Sequence, residues 1–329
     1  MEIAKALILA GTPAQDPRWP AASGSRHLFP VANRPILFHN LESLRAAGIL
    51  EAAILAEPDA GAAIARAVGD GREWGLRIRY GDWNSSAGVQ GALAGATDFV
   101  GDEPVLVEHG DALLREHLHG HISTFAREEL DALALRLDHP VVQMSNRATP
   151  GYLLSPLAVS ILRESTSGSA SPVARLRANG TRVRIEHVDG CLPCHGDLDA
   201  LIDGNRCMLE GLVTSVDAAS LEDTTIHGAV QIHPSARVRR SLLRGPLIIG
   251  PGADVTDAYI GPYTSIGEQV VVESTEIEHS IVLADAQLRF VGSRLESSVI
   301  GKGARVVRGF DLPAVTRVSL GDGAEIILR

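Results

Sequence analysis

Aliphatic residues recur with a period of six residues through the last third of the chain. Glycine turns accompany it in the segments IGPGAD, IGPYTS, IGEQVV and IGKGAR. A period of this length is typical of a parallel β-helix, in which each coil stacks its inward side chain on the next. We therefore predict a β-helix over residues 213–329. Its aliphatic positions are Ile232, Val238, Ile249, Val255, Ile260, Ile266, Val272 and Ile300.

The preceding residues, 1–212, alternate apolar strand patterns with amphipathic helix patterns. The alternation predicts a doubly wound α/β domain, in which ligands bind beyond the carboxyl ends of the strands. The predicted strands are 6–10, 52–56, 76–80 and 104–108. The predicted helices are 36–47, 61–69, 88–99 and 117–128.

Composition excludes several classes of protein. The 329 residues, of which 45% are hydrophobic and 21% charged, suffice for two domains with ordinary soluble cores. A net charge of −10 argues against a nucleic-acid partner. Three cysteines do not form a secreted disulfide framework, and no apolar run reaches the roughly 18 residues of a membrane span. The N-terminus reads as a strand rather than a signal peptide, so we expect a cytoplasmic protein.

The first strand runs into a glycine turn at Gly11. A loop that holds a triphosphate points backbone N–H groups at the phosphates and adds a cation for developing charge. Here Pro13 and Pro17 have no N–H group, and Asp16 adds an anion. We therefore predict a turn that does not bind a triphosphate in the usual way, although Arg18 can still reach a phosphate.

Motifs along nearly the whole chain resemble the sugar-1-phosphate nucleotidyltransferases, most closely the long form of glucose-1-phosphate thymidylyltransferase. The segment 5–31 follows the spacing of that family's A-G-G-x-G-T-R-x-x-P and K-x-L-x-P-V patterns. The segments RGPLIIGPGADVTDAYIGPYTSIG and EIEHSIVL match its tail. The resemblance implies a Rossmann-like nucleotidyltransferase domain followed by a left-handed parallel β-helix. It also implies a nucleotide, a sugar phosphate and Mg²⁺ as ligands.

In this resemblance most phosphate-binding positions of the opening loop are replaced. The second and third glycines of the family pattern are Thr12 and Ala14, its threonine is Gln15, and its arginine is Asp16. Arg26 replaces the lysine of the second pattern and keeps its charge, although a planar guanidinium is not a copy of an ammonium. Arg18 matches no catalytic position of the family. Arg26 and Arg18 are nevertheless the candidates for holding phosphate.

The base-binding segment of the family, Gln-x-x-Pro-x-Gly, aligns with residues 83–88. Trp83 replaces the glutamine that reads the pyrimidine, and Gly88 keeps the glycine. A tryptophan can stack on a base but cannot read its edge in the same way. The candidate nucleotide-binding residues are Gly11, Thr12, Trp83 and Gly88.

The resemblance also implies a magnesium site built from two aspartates. Asp111 keeps the first, whereas Cys194 replaces the second. Magnesium prefers oxygen ligands and gains nothing from a thiolate, so the ordinary site is doubtful. The segment that holds the sugar phosphate in the family is shortened, and Lys5 and Lys302 are the two lysines of the chain.

The replacement motif suggests a second chemistry. Cys191, Cys194 and His195 supply ligands that suit zinc, and His109 and Asp111 would lie on a neighbouring strand end if the family fold holds. Such a zinc ion, with an open position, would activate water or polarise a carbonyl. The alternatives are a redox or nucleophilic role for Cys194, and two thiols that merely line an inherited cleft.

Three functional hypotheses remain open. In the first, the chain is a pseudoenzyme that pairs with an active paralogous subunit or binds a sugar phosphate without turnover. In the second, it is an enzyme repurposed to other, metal-assisted chemistry. The third hypothesis is an atypical nucleotidyltransferase that uses Arg18, Arg26 and Asp111. We expect the β-helix to serve stacking and oligomerisation.

Overall fold

The computed structural model describes residues 3–11, 25–137, 149–164, 171–191, 198–216 and 220–308. The first part of this chain is built on a seven-stranded sheet. The strands of this sheet are β1 (Lys5–Ala10), β4 (Glu51–Ala56), β5 (Arg77–Asp82), β6 (Val105–His109), β8 (Ala132–Leu137), β9 (Gly151–Leu154) and β10 (Val183–Val188). Their order across the sheet is β10-β8-β9-β6-β1-β4-β5. β9 runs antiparallel to both of its neighbours, and the other strands run parallel.

Two short antiparallel pairs accompany the sheet. β2 (Pro30–Val31) pairs with β3 (Arg34–Pro35), and β7 (Leu113–Leu114) pairs with β11 (Gly190–Cys191). β7 follows the carboxyl end of β6 after three residues, so this second pair lies next to the edge at which ligands are expected.

Helices cover both faces of the large sheet, as a doubly wound domain requires. The helices are α1 (Ile36–Ala46), α2 (Pro58–Val68), α3 (Gly88–Gly95), α4 (Thr97–Val100), α5 (Leu118–Arg127), α6 (Pro156–Arg163), α7 (Pro172–Ala178) and α8 (Leu198–Leu209). One core cluster joins the sheet to α1, α2 and α5, and the other joins it to α3, α6 and α7. Three-residue 3₁₀ turns occur at Arg26–Leu28, Arg72–Trp74 and Ser85–Ala87.

The predicted helix over 88–99 is in fact two helices, α3 and α4. Gly95 ends the first, and Ala96 leaves the helical region with φ −103° and ψ 25°. Glycine is a poor helix former, and the Thr97 hydroxyl donates back to the Ala94 carbonyl at 2.8 Å. A break is therefore favoured at this point, although the apolar pattern continues through Phe99.

Residues 220–308 form three parallel sheets of short strands that together make a β-helix. The first sheet contains β12 (Ser220–Glu222), β15 (Arg237–Arg239), β18 (Asp254–Thr256), β21 (Val271–Glu273), β24 (Gln287–Arg289) and β27 (Arg305–Val307). The second contains β13 (Thr225–His227), β16 (Leu242–Arg244), β19 (Tyr259–Ile260), β22 (Glu276–Glu278) and β25 (Leu295–Glu296). The third contains β14 (Val230–Ile232), β17 (Leu247–Ile249), β20 (Thr264–Ile266), β23 (Ile281–Val282) and β26 (Val299–Ile300).

Aliphatic side chains stack along the inside of these coils. Val238, Val255 and Val272 are direct register partners and are completely buried. Ile249 and Ile266 stack in the same way on the third sheet. The six-residue aliphatic repeat of the sequence therefore marks the inward positions of the β-helix, as predicted.

α8 connects the two parts of the chain. Asn205 is completely buried, and its Oδ1 accepts hydrogen bonds from the Ala32 amide (2.9 Å) and the Ser265 hydroxyl (2.7 Å). Its Nδ2 donates to the Tyr263 carbonyl at 3.0 Å. The predicted domain boundary, 212/213, lies between α8 and β12 and stays a prediction.

Candidate functional site

Gly11 and Asp111 lie at the same edge of the large sheet. β1 and β6 are parallel neighbours in which Leu9 is the partner of His109, and the Gly110 amide donates to the Leu9 carbonyl at 2.9 Å. The two strands therefore end side by side, with Gly11 after one and Asp111 after the other. This is the ligand-binding edge of a doubly wound sheet.

Trp83 packs directly over Gly11. A Cβ atom at position 11 would lie 2.5 Å from Trp83 Cζ3 and 2.8 Å from Ser85 Cβ, closer than non-bonded carbon atoms approach. Only 7% of Trp83 is exposed, and its side chain belongs to the core cluster under α3, α6 and α7. Position 11 must be glycine here because an indole ring occupies the neighbouring space.

The segment that carries Trp83 is held at several points. The Trp83 amide donates to the Ala56 carbonyl at 2.9 Å, and the Ser85 hydroxyl donates to Glu57 Oε1 at 2.6 Å. The indole Nε1 donates to the Gly88 carbonyl at 3.2 Å, and Gly88 has φ +60°. Trp83 and Gly88 are thus hydrogen-bonded to each other, and their role as nucleotide-binding residues stays a prediction.

Arg26 and Asp111 are both buried near this edge. Arg26 lies in a 3₁₀ turn with 5% of its surface exposed, and Asp111 has 4% exposed. The next residue in the turn, His27, packs beside Gly110, where a Cβ atom would lie 3.2 Å from His27 Cδ2. The two candidates therefore lie near one edge of the sheet. The candidates Thr12 and Arg18 lie outside the described residues.

Glu108 is a buried acid that the sequence analysis did not select. It is 7% exposed at the carboxyl end of β6, and burial raises its pKa to about 8. Its Oε1 and the Oδ1 of buried Asn40 have no hydrogen-bond partner in the described part of the chain. A carboxylate at the end of the apolar run Val105–Val107 was the sequence signal that could have identified it.

The Cys191 thiol lies against the Cys207 thiol of α8. A hydrogen bond with the Cys207 thiol, together with burial, raises the pKa of Cys191. Both thiols line a cavity of about 380 Å³ that also includes Arg115, which lies 3.0 Å from Asp189 Oδ2. Cys194 and His195 lie outside the described residues, so the zinc site that included them stays a prediction.

No grouping of three or more His, Cys, Asp or Glu side chains among the described residues could hold a metal ion. His109, another candidate ligand, accepts a hydrogen bond at its backbone carbonyl from Asn40 Nδ2 at 3.3 Å. Asp111 holds the first position of the two-aspartate set that the sequence resemblance implied for Mg²⁺, and the second position, Cys194, lies outside the described residues. None of the helices in the described ranges has the length and apolar character needed to cross a lipid bilayer.

The family model for nucleotidyl transferases matches residues 5–144. A glucose-1-phosphate thymidylyltransferase of Streptomyces griseus is 32% identical, over 97% of this chain and 98% of its own length. One of Streptomyces antibioticus is 30% identical, over 99% of each chain. A crystal structure from Bacillus anthracis, assigned as a glucose-1-phosphate thymidylyltransferase and bound to sucrose, aligns with a TM-score of 0.53 at 19% identity, covering 61% of this chain and 93% of that one.

Proposed function

Because this chain belongs to the sugar-1-phosphate nucleotidyltransferase family, we propose that it has kept the family fold and lost the ordinary transfer of a nucleotidyl group to a sugar 1-phosphate. In this proposal it acts as a non-catalytic protein, which binds a sugar phosphate or pairs with an active relative.

The position of Trp83 is the observation that carries the proposal. The indole ring covers Gly11 at the edge where a nucleotide would enter, and its N–H group is already bonded to the Gly88 carbonyl. A base could take this place only if the ring left its core cluster. Exposing a buried tryptophan costs several kcal/mol, which would subtract from the nucleotide's affinity.

Loss of cationic contacts supports the same proposal. Removing one group that stabilises developing charge typically lowers a rate about 10²- to 10³-fold. Asp16 replaces the family's loop arginine, and the segment that holds the sugar phosphate in the family is shortened. Several such losses together would remove most of the acceleration.

One observation favours the alternative, an active enzyme with an atypical substrate. Asp111 remains at the carboxyl edge beside Gly11, where the family resemblance implies a metal ligand. In this alternative Arg26 or Arg18 has taken over phosphate binding. We derive no step through magnesium, because Cys194 stands where the resemblance implies the second aspartate.

Pyrophosphate release decides between these two functions. The protein is offered dTTP and the other triphosphates in turn, each with glucose 1-phosphate and magnesium, beside the Streptomyces griseus relative as a positive control. We expect no release above the rate without protein. Release comparable to the control, abolished by Asp111→Asn, would establish the alternative instead.

A zinc-dependent function is tested separately by the metal content of the purified protein. About one zinc ion per chain, lost in Cys194→Ser, would support it. Metal-free protein with unchanged thermal stability would end this hypothesis and leave the proposed loss of transfer standing.

A further inference from the structure

We propose that Cys191 and Cys207 are a dithiol site, which a small dialkyl disulfide oxidises to a disulfide bond between β11 and α8. The site does not depend on the function proposed above, because it uses neither Gly11 nor Trp83. The chain has one further cysteine, Cys194, which lies outside the described residues.

The two thiols are in contact in the reduced protein. The Cys191 thiol is hydrogen-bonded to the Cys207 thiol, and both cysteines are free. They belong to different elements, since Cys191 is the last residue of β11 and Cys207 lies in the last turn of α8. An S–S bond is about 2.05 Å long, so two sulfurs in contact need only a short further approach to form it.

Packing holds each cysteine in place. Cys191 is the register partner of Leu113 in the short pair of β11 and β7. The position of α8 is fixed by the three hydrogen bonds of Asn205. Both cysteines and Leu113 belong to one buried cluster, which also contains Leu201 of α8. The contact between the thiols is therefore part of the folded core of this region.

A cavity of about 380 Å³ gives a small oxidant access to the pair. Cys191 and Cys207 both line it, and they keep 9% and 8% of their surface exposed. At roughly 30 Å³ for a water-sized group, the cavity holds about twelve non-hydrogen atoms, which is more than bis(2-hydroxyethyl) disulfide has. Charged side chains form much of the remaining lining, among them Arg115, Asp203 and Glu210, so water and a polar, neutral disulfide can enter.

The reaction is thiol–disulfide exchange. One protein thiol loses its proton, and its sulfur attacks a sulfur of the dialkyl disulfide, whose S–S bond breaks and releases one alkanethiol. The second protein thiol then loses its proton and attacks the mixed disulfide, which releases the second alkanethiol. The two cysteines are oxidised by two electrons, and the small disulfide is reduced to two thiols.

The bond should stabilise the region where the two parts of the chain meet. β11 pairs with β7 beside the sheet domain, and α8 reaches the β-helix through Asn205. A link between Cys191 and Cys207 restricts the unfolded chain, so the melting temperature should rise by about 5 °C on oxidation and fall again with dithiothreitol. A lower melting temperature in the oxidised protein would overturn the proposal, because the folded chain would then not accommodate the bond.

Peptide mapping of the full-length protein identifies the bond. Metal is first removed with a chelator, because a thiolate that is held by zinc does not attack a disulfide. The folded protein is then incubated with bis(2-hydroxyethyl) disulfide, its remaining thiols are alkylated, and it is digested with trypsin. Cleavage after Arg206 separates the peptide of Cys191 from that of Cys207. We expect a disulfide that joins these two peptides.

Variants assign the bond to the proposed pair. Cys194→Ser should form the same link, and Cys191→Ser should form it at least about tenfold more slowly, because the thiol in contact with Cys207 is gone. In urea the shorter loop between Cys191 and Cys194 closes at a lower entropic cost, so the unfolded chain should give a different map.

Three results would overturn the proposal. The folded wild type might form no bond, or bond Cys191 to Cys194 instead of Cys207. Alternatively, Cys191→Ser could link the two peptides as fast as Cys194→Ser does.

Discussion

At the scale of single residues, buried side chains fill the space at the edge of the sheet where a ligand would bind. Trp83 covers Gly11, and its segment is tied to Glu57 through Ser85. Arg26 is buried in a turn. The contact between Trp83 and Gly11 is short-range, so it makes a prediction for a single substitution.

Gly11→Ala should destabilise the protein by about 1–3 kcal/mol, because the new Cβ atom would overlap Trp83 and Ser85. Chemical denaturation measures the loss. In a Trp83→Leu background the same change should cost at least about 1 kcal/mol less, since the ring is no longer there.

Gly95→Ala is the matched control, because no described atom lies within 4 Å of a Cβ at that helical position. It should be neutral or stabilising. If Gly11→Ala were equally harmless, or cost the same with and without Trp83, the ring would not cover Gly11 in solution and the proposed loss of activity would lose its main support.

Glu108 predicts a dependence of stability on pH. Its folded pKa of about 8 lies above the ordinary 4.5, so the folded protein holds this proton more tightly than the unfolded chain. Stability from this group is complete below about pH 4.5 and falls as pH rises towards 8. The full loss is on the order of 5 kcal/mol as an upper limit.

Glu108→Gln should remove this loss, since an amide has no proton to release. Urea unfolding of the two proteins at about pH 5 and about pH 8.5 measures the difference, with the variant gaining on the wild type at the higher pH. The other titratable groups that line the same cavity as Glu108, among them Glu42, Glu116, His39 and His117, are common to both proteins. An equal dependence on pH in the two would mean that Glu108 is solvated or paired in solution.

At the scale of elements, regular periodicity made most of the fold predictable. The strand predicted at 52–56 is observed as Glu51–Ala56, and the helix predicted at 36–47 as Ile36–Ala46. Both follow from apolar patterns that repeat with the period of the element. The helix predicted at 88–99 breaks at Ala96, although the apolar pattern of the sequence continues to Phe99. The break arises because Gly95 is a poor helix former and the Thr97 hydroxyl donates back to the Ala94 carbonyl.

The stacked interior of the β-helix predicts a sharp difference between two adjacent isoleucines. Ile249 points inward between Ile232 and Ile266, whereas its neighbour Ile248 is half-buried on the outer side. Ile249→Ala should cost about 2–5 kcal/mol, and Ile248→Ala about 1 kcal/mol or less. Thermal unfolding followed by circular dichroism compares them; equal losses would contradict the assigned inward register.

At the scale of the whole molecule, the sequence predicted the two architectures but not the contacts that join or complete them. Asn205 gives no signal in sequence, since it is a single amide in an ordinary helix pattern. The buried position of the Trp83 ring depends on the absence of a side chain at Gly11, which is distant from Trp83 in the sequence. Such features depend on tertiary packing, which a local pattern does not encode.

Asn205 predicts how the two parts of the molecule unfold. Its side chain makes three hydrogen bonds that link α8 to the turn after β2 and to the β-helix, and it is completely buried. Asn205→Leu keeps the volume but leaves the Ala32 amide, the Ser265 hydroxyl and the Tyr263 carbonyl without this partner. Each buried group left unpaired costs about 1–3 kcal/mol, and here that cost falls on the junction rather than on either core.

Calorimetry should therefore record a separation of the two parts. We expect the wild type to unfold in one main transition and Asn205→Leu in two, because weaker coupling lets the β-helix and the sheet domain melt independently. Asn179→Ala is the control: its amide caps the end of α7 by donating to the Arg175 carbonyl at 2.9 Å, far from the junction in sequence. A single transition in Asn205→Leu, shifted no further than in the control, would mean that the two parts are held together by contacts other than this amide.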